Sequence, residues 1–244
     1  MAIVRTVSFP TPRPIDALRA LRSLFANPDE TQHVFEIINA LQGPNLFWMR
    51  RRLRRSEQGR RLLAERPDLV PLLKDREALR ALPANSLGRV YLEFVESEGI
   101  SADGLVEASN EVDRAGDAAD LDWLHNWLRD THDLWHAALG YKGDLVGEAA
   151  LLAFTHHHTQ NIGIAMIATM AWFKLGRETD PEIRARSVVR DGRRRAKQTA
   201  WFVGVPWHEW LARPVDDVRR DLGVRSVVEY QTVRSDEIDT ALVA

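Results

Sequence analysis

The 244-residue chain contains no cysteine. That absence excludes a disulfide framework, an iron–sulfur cluster, a thiolate zinc site and a cysteine nucleophile, so any metal must be held by histidines and carboxylates. It also fits a reducing compartment. An excess of one charge is lacking too: 33 basic against 35 acidic residues leave a formal net charge of −2. Nucleic acid is therefore excluded as a partner, because binding its phosphates needs a concentrated basic footprint. Long apolar runs are missing as well. The longest, Ile162 to Phe173, has 12 residues with Gly163 and Thr169 inside it, against the roughly 20 that a membrane span requires. No secretion signal is expected, since residues 1–14 hold no apolar run of signal length and are broken up by Pro10, Pro12 and Pro14.

What is present is globular. With 45% apolar and 28% charged residues the chain is not disordered, and at this length it should bury roughly 70 to 75% of its unfolded surface. Apolar residues recur at three- and four-residue steps almost everywhere, and no alternating run is long enough for a sheet. This predicts an all-α, single-domain helical bundle. Residues 1–14 form an irregular segment, 15–224 the domain and 225–244 a C-terminal tail. Helices are expected over Ile15 to Ala26, Asp29 to Leu41 with Asp29 as N-cap, Leu46 to Leu53 and Leu87 to Val95, with a looser region around residues 99 to 118. From Ala119 one helix should run to Gly140. Asp144 should then cap a long apolar helix reaching about Leu175, so that the two make a long α-hairpin. A further helix is expected from Asp180-Pro181 to about Val203, and Pro206 and Pro214 should open short terminal helices ending near Gly223.

The hairpin carries the chemistry. The run Thr131-His132-Asp133-Leu134-Trp135-His136 puts two histidines four residues apart on one helical face, at the edge of the apolar stripe, with Asp133 further round. His136 lies four residues before Gly140 and Glu148 four after Asp144. At 1.5 Å per residue, antiparallel packing brings both to the same height, about 6 Å from the turn. Two neutral imidazoles and two carboxylates suit a divalent cation, whose charge offsets the carboxylates' repulsion. The helix ends favour this arrangement, with His136 near a negative C-terminus and Glu148 near a positive N-terminus. An HDxxH run alone is equally compatible with polar boundary residues; Glu148 at matching height tilts the reading toward a site.

The full pattern, HDxxH, eleven residues, then Glu, resembles the metal motif of the coenzyme Q (ubiquinone) biosynthesis Coq4 family. The resemblance extends through Asp29-Glu30-Thr31 with Val34-Phe35, Gly59-Arg60-Arg61-Leu62-Leu63 with Arg66-Pro67, Ser86-Leu87-Gly88-Arg89, Gly147-Glu148-Ala149 with Phe154, and Arg213-Pro214 with Val218-Arg219. It covers most of residues 25 to 224. It implies His132, Asp133, His136 and Glu148 as ligands of one divalent metal ion. It also implies a role in ubiquinone biosynthesis at a membrane surface, organising the other biosynthetic enzymes and processing C1 of a polyprenylated benzoate ring by oxidative decarboxylation. The donor set accepts zinc, manganese or iron, of which only a redox metal takes part directly in oxygen chemistry. The resemblance further implies peripheral association with the inner membrane from the cytoplasm, and a homodimer is compatible with it. The alternative is a non-catalytic prenyl-lipid-binding scaffold whose metal is structural.

Other motifs weigh less. A zincin needs Glu directly after the first His, where Asp133 stands, and an HD-type phosphohydrolase needs further His and Asp ligands for which no clear set exists. His156, His157 and His158 point about 100° apart and cannot converge on one ion, so a polar helix face or a dimer contact is expected. The cluster Arg190, Arg193, Arg194, Arg195 and Lys197 reads as a solvated face that could also meet anionic lipid. Ile162 to Phe173 reads as core, or as an apolar lining for a polyprenyl tail.

Overall fold

The computed structural model describes residues 11–27, 30, 32–100, 119–227 and 229–237. Among these the chain forms fourteen α-helices and three short 3-10 turns, with no strand beyond an isolated bridge between Ser86 and Pro214. The all-α expectation is met. The helices are α1 (Pro14–Ala26), α2 (Gln32–Ala40), α3 (Asn45–Leu53), α4 (Glu57–Glu65), α5 (Val70–Lys74), α6 (Arg76–Ala81) and α7 (Leu87–Glu98). They continue as α8 (Ala119–Asp130), α9 (His132–Leu139), α10 (Leu145–Thr159), α11 (Ile162–Glu178), α12 (Ala185–Ala196), α13 (Trp207–Trp210) and α14 (Val215–Leu222). Asp29 and most of the loose middle region, 101–118, lie outside the described residues.

Both long helices expected between Ala119 and Leu175 are broken, each for a local reason. At Thr131 the buried hydroxyl donates back to the Trp127 carbonyl at 2.8 Å, a bond that bends a helix and here separates α8 from α9. At Gln160 the backbone enters the left-handed region (φ 54°), and Asn161 starts α11 afresh by accepting the Ile164 N–H at 3.1 Å. The helix expected from Asp180 is likewise a 3-10 turn, Pro181–Ile183, followed by the shorter α12.

Packing follows side-chain size. Trp127, Trp135, Phe154, Phe202 and Trp207 are fully buried and largely edge-to-face, as with Trp135 and Phe202 at 5.5 Å and 87°. α10 crosses α12 at Gly192, where an added Cβ would stand 2.2 Å from the Ala150 carbonyl oxygen, so only glycine allows the approach. α1 and α2 form a smaller apolar cluster with Ile167 of α11. Among the described residues no helix is long and apolar enough to cross a membrane.

Candidate metal centre

The site is built on the short hairpin of α9 and α10. α9 stops at Gly140, whose φ of 79° suits glycine, and its amide donates to the His136 carbonyl at 2.7 Å. Two arginines from distant helices satisfy the remaining orphan carbonyls. Arg219 of α14 donates to Ala138 at 3.0 Å and Ala137 at 3.1 Å, and Arg195 of α12 donates to Leu139 at 2.8 Å. Both place positive charge at the negative end of α9. α10 starts at Asp144, which accepts from Val146 N at 3.1 Å and Gly147 N at 3.3 Å. The same buried carboxylate accepts from Tyr230 Oη and Val233 N, both at 2.9 Å, so residues 229–233 are tied across the hairpin turn.

This frame brings together His132, His136 and Glu148. Glu148 Oε1 lies 3.1 Å from His136 Nε2, and Glu148 Oε2 lies 3.4 Å from His132 Nε2. His136 is wholly buried, its ring stacked on Phe94 at 4.8 Å, whereas the Glu148 side chain keeps 38% of its surface and His132 26%. The cluster is thus walled on one side and open on the other. Asp133, the fourth predicted ligand, is buried beside it but does not belong to the group whose donor atoms all approach within 4.8 Å of one another.

The protonation pattern makes the group a fitting cation site. His136 Nδ1 lies 3.1 Å from the Tyr141 carbonyl oxygen, which can only accept, so Nδ1 carries the proton. The opposite nitrogen, buried Nε2, faces Glu148 Oε1 at 3.1 Å and either carries a second proton or offers its lone pair to a cation. Two acceptors in that position repel unless a proton or a cation lies between them. Ligand atoms around a tetrahedral ion with bonds of about 2.1 Å stand roughly 3.4 Å apart, close to the two separations observed.

Burial opposes ionisation of Glu148, but the neighbouring His136 and His132 prevail and hold its carboxyl well below the usual range. For His132 the same burial disfavours the cation, and Glu148 with Asp133 more than offsets it, raising the imidazole. Asp133 is pushed up chiefly by burial, against the pull of the two histidines. Burial, reinforced by the Asp133 carboxylate, pushes the Tyr91 hydroxyl of α7 up.

The remaining predicted residues disperse. His156 Nδ1 pairs with the Asn161 carbonyl at 3.0 Å, His157 is exposed, and His158 is buried under Phe202 and Thr199. Arg195 departs from the solvated-face reading: it is 3% exposed and stacked on Tyr141 at 4.9 Å. Arg193, Arg194 and Lys197 do face solvent. Within Ile162 to Phe173 the core reading holds for Ile164, Ile167 and Ala168, while Ile162, Met170 and Phe173 are exposed. Phe94 and Tyr141 support the site unannounced by any motif, with only Gly140 signalling a turn there; Arg195 and Arg219 stand in segments singled out in the sequence, but not as parts of the site.

A family model described as coenzyme Q (ubiquinone) biosynthesis protein Coq4 matches residues 14–227. The mitochondrial ubiquinone biosynthesis protein COQ4 of Paracoccidioides brasiliensis is 31% identical over 178 residues, which is 72% of this chain and 59% of that protein. The mitochondrial coq-4 protein of Neurospora crassa is 31% identical over 181 residues, 73% of this chain and 50% of that one. The chain therefore spans between half and three fifths of the length of these two relatives. A crystal structure from Nostoc punctiforme, provisionally described as a ubiquinone biosynthesis protein, has the same fold, with a TM-score of 0.66 at 21% identity over 88% of this chain and all of that one.

Proposed function

Because this chain belongs to the coenzyme Q (ubiquinone) biosynthesis protein Coq4 family, we propose that it acts in ubiquinone biosynthesis as a metal-dependent protein working on C1 of a polyprenylated benzoate ring. His132, His136 and Glu148 would hold one divalent cation, with Asp133 as the fourth donor that the family resemblance implies. The observation that carries this reading is the convergence of His132, His136 and Glu148, whose donor atoms lie within 4.8 Å of one another, on a face left open at Glu148. A bound zinc, manganese or iron supplies positive charge next to a ring carboxylate and its neighbouring oxygens, and a redox metal also supplies electrons for oxygen chemistry. Exchange of the carboxyl for a hydroxyl is a net oxidation, with carbon dioxide leaving, so an oxidant such as dioxygen is required. The protein's own part is to bind and orient the ring: the rigid side of the site is the His136–Phe94 stack, and the exposed side, at Glu148 and His132, admits the head group.

The scaffold reading rests on a different feature. Ile15 and Leu18 of α1 and Ile162, Met170 and Phe173 of α11 are exposed apolar side chains, suited to a prenyl lipid, a membrane surface or a second copy of the chain. Peripheral contact with an inner membrane, and assembly with other ubiquinone-biosynthesis enzymes, belong to both readings. One experiment separates them. Purified protein is supplied with a C1-carboxylated polyprenyl hydroxybenzoate, oxygen and each metal in turn, and the ring is followed by mass spectrometry. The enzyme replaces the carboxyl by hydroxyl, and Glu148→Ala abolishes the conversion; a scaffold binds the ring and returns it unchanged.

A further inference from the structure

The arginine run at the end of α3 is sorted by helix face. Arg50 and Arg54 both reach Asp120, at 4.0 Å and 3.0 Å. Counted at roughly 100° per residue, these two lie close together on the wheel, whereas Trp48, Arg51, Arg52 and Arg55 share a separate arc about 100° wide. On that second face all three arginines are exposed, and among the described residues none has a carboxylate within ion-pair distance. Trp48 stands between them with 54% of its surface open.

Two further helix ends bring positive charge to the same place. Arg52 lies over the Trp201 ring at 4.3 Å, and Trp201 Nε1 donates to the His158 carbonyl at the end of α10. Burial, followed by the charges of Lys197, His156, Arg52 and Arg193, lowers the neighbouring His157 imidazole, and burial with Arg55 lowers Arg52. Arg193 and Lys197, at the end of α12, are exposed and have no acidic partner among the described residues, although Arg194 between them reaches Asp191 at 3.7 Å. The negative C-terminal ends of α3, α10 and α12 favour cations here. Even so, like charges gathered without counter-charges repel. The chain as a whole carries −2, so the excess is local.

We propose that this face, formed by the ends of α3, α10 and α12, is the surface by which the protein docks on an anionic lipid bilayer. Arg51, Arg52, Arg55, Arg193 and Lys197 meet the phosphate headgroups, and Trp48 enters at headgroup depth, where its apolar ring and its N–H are both accommodated. A bilayer fits better than an acidic peptide because the free cations stand on two separate helix ends around an exposed tryptophan. A charged plane meets all of them at once, whereas a peptide follows one line. The inference rests on the membrane contact proposed above and gives it a location; the metal centre plays no part in it. It differs from docking through the apolar side chains of α1 and α11, because attraction between exposed charges is screened by salt and apolar burial is not.

The test is cosedimentation of the full chain with vesicles of phosphatidylcholine alone and of phosphatidylcholine mixed with phosphatidylglycerol. Wild type should bind the mixed vesicles and be released at about 1 M salt, where the screening length is about 3 Å. Each cation removed should weaken binding roughly fivefold, so Lys197→Gln loses about fivefold and Arg51→Gln with Arg55→Gln roughly 25-fold. These side chains are exposed and unpaired, so the variants fold. Arg19→Gln with Arg80→Gln makes the same change in net charge on α1 and α6 and should cost less than about twofold. Tryptophan emission should shift to the blue on binding, by less in Trp48→Phe. Equal losses for the two double variants overturn the proposal, as does binding that survives high salt and falls in Phe173→Ser; either leaves the membrane contact itself standing. Wild type that sediments with neither vesicle, including one that binds polyglutamate or duplex DNA instead, overturns the proposal and the membrane contact together.

Discussion

His136 Nε2 and Glu148 Oε1 face one another at 3.1 Å, while the Tyr141 carbonyl holds the other ring nitrogen of His136 at 3.1 Å. The pair holds either a proton or a metal. Elemental analysis of protein purified without chelators should find one divalent ion per chain. His136→Ala should weaken binding on the order of 100-fold, Asp133→Asn roughly tenfold, and His157→Ala not at all. Wild type that carries no divalent ion and takes none up on titration with zinc, manganese or iron would remove the metal from the account.

Asp144 joins the hairpin to residues 229–233 through four donors, Val146 N, Gly147 N, Val233 N and Tyr230 Oη. Asp144→Ala should destabilise the protein by about 3 kcal/mol, combining loss of an N-cap with buried donors left unpaired. Tyr230→Phe removes one donor and should cost about 1 kcal/mol. Urea unfolding measures both, and equal effects would mean that the carboxylate serves the helix cap no more than the tyrosine.

The fold class and the height match of His136 with Glu148 were legible because both follow from periods and counts: 3.6 residues per turn, a glycine stop and an aspartate cap. The breaks at Thr131 and Gln160 were not. Thr131 reads as one polar residue in an apolar stripe until its hydroxyl is seen to have no outlet but the Trp127 carbonyl. Asn161 before Ile162 is an N-cap signal, yet the polar run Thr155 to Gln160 that precedes it reads equally as one polar face of a continuing helix. Arg195 was misread for a different reason. In sequence it belongs to an arginine run, and only the crossing of α12 over α10 decides which arginine turns inward.

That crossing makes its own prediction. A methyl group at Gly192 would stand 2.2 Å from the Ala150 carbonyl oxygen, which is backbone and cannot rotate away. Gly192→Ala must push α10 and α12 apart and should cost about 3 kcal/mol, with Tm lowered by roughly 6–12 °C. Because Arg195 lies on α12, the same variant should loosen the grip on Tyr141. A melting temperature within a degree or two of wild type would show that the helices can slide without loss.

His158 makes the fold sensitive to acid. Burial, aided by the charges of His157 and Arg52, lowers its imidazole pKa to about 3, and the Phe202 amide donates to its Nδ1 at 3.4 Å. The native protein thus holds this histidine neutral, while the unfolded chain takes up a proton near pH 6.5. The sign follows from which state binds more protons: the contribution is complete above pH 6.5 and is lost progressively as pH falls from there toward 3. At pH 5 the loss is about 2 kcal/mol. His132, raised rather than lowered, works in the opposite direction, so the informative quantity is a difference between two proteins. The stability advantage of wild type over His158→Gln, measured by urea unfolding, should shrink by about 2 kcal/mol between pH 7 and pH 5. If both proteins lose the same amount, His158 is not the group that acid charges.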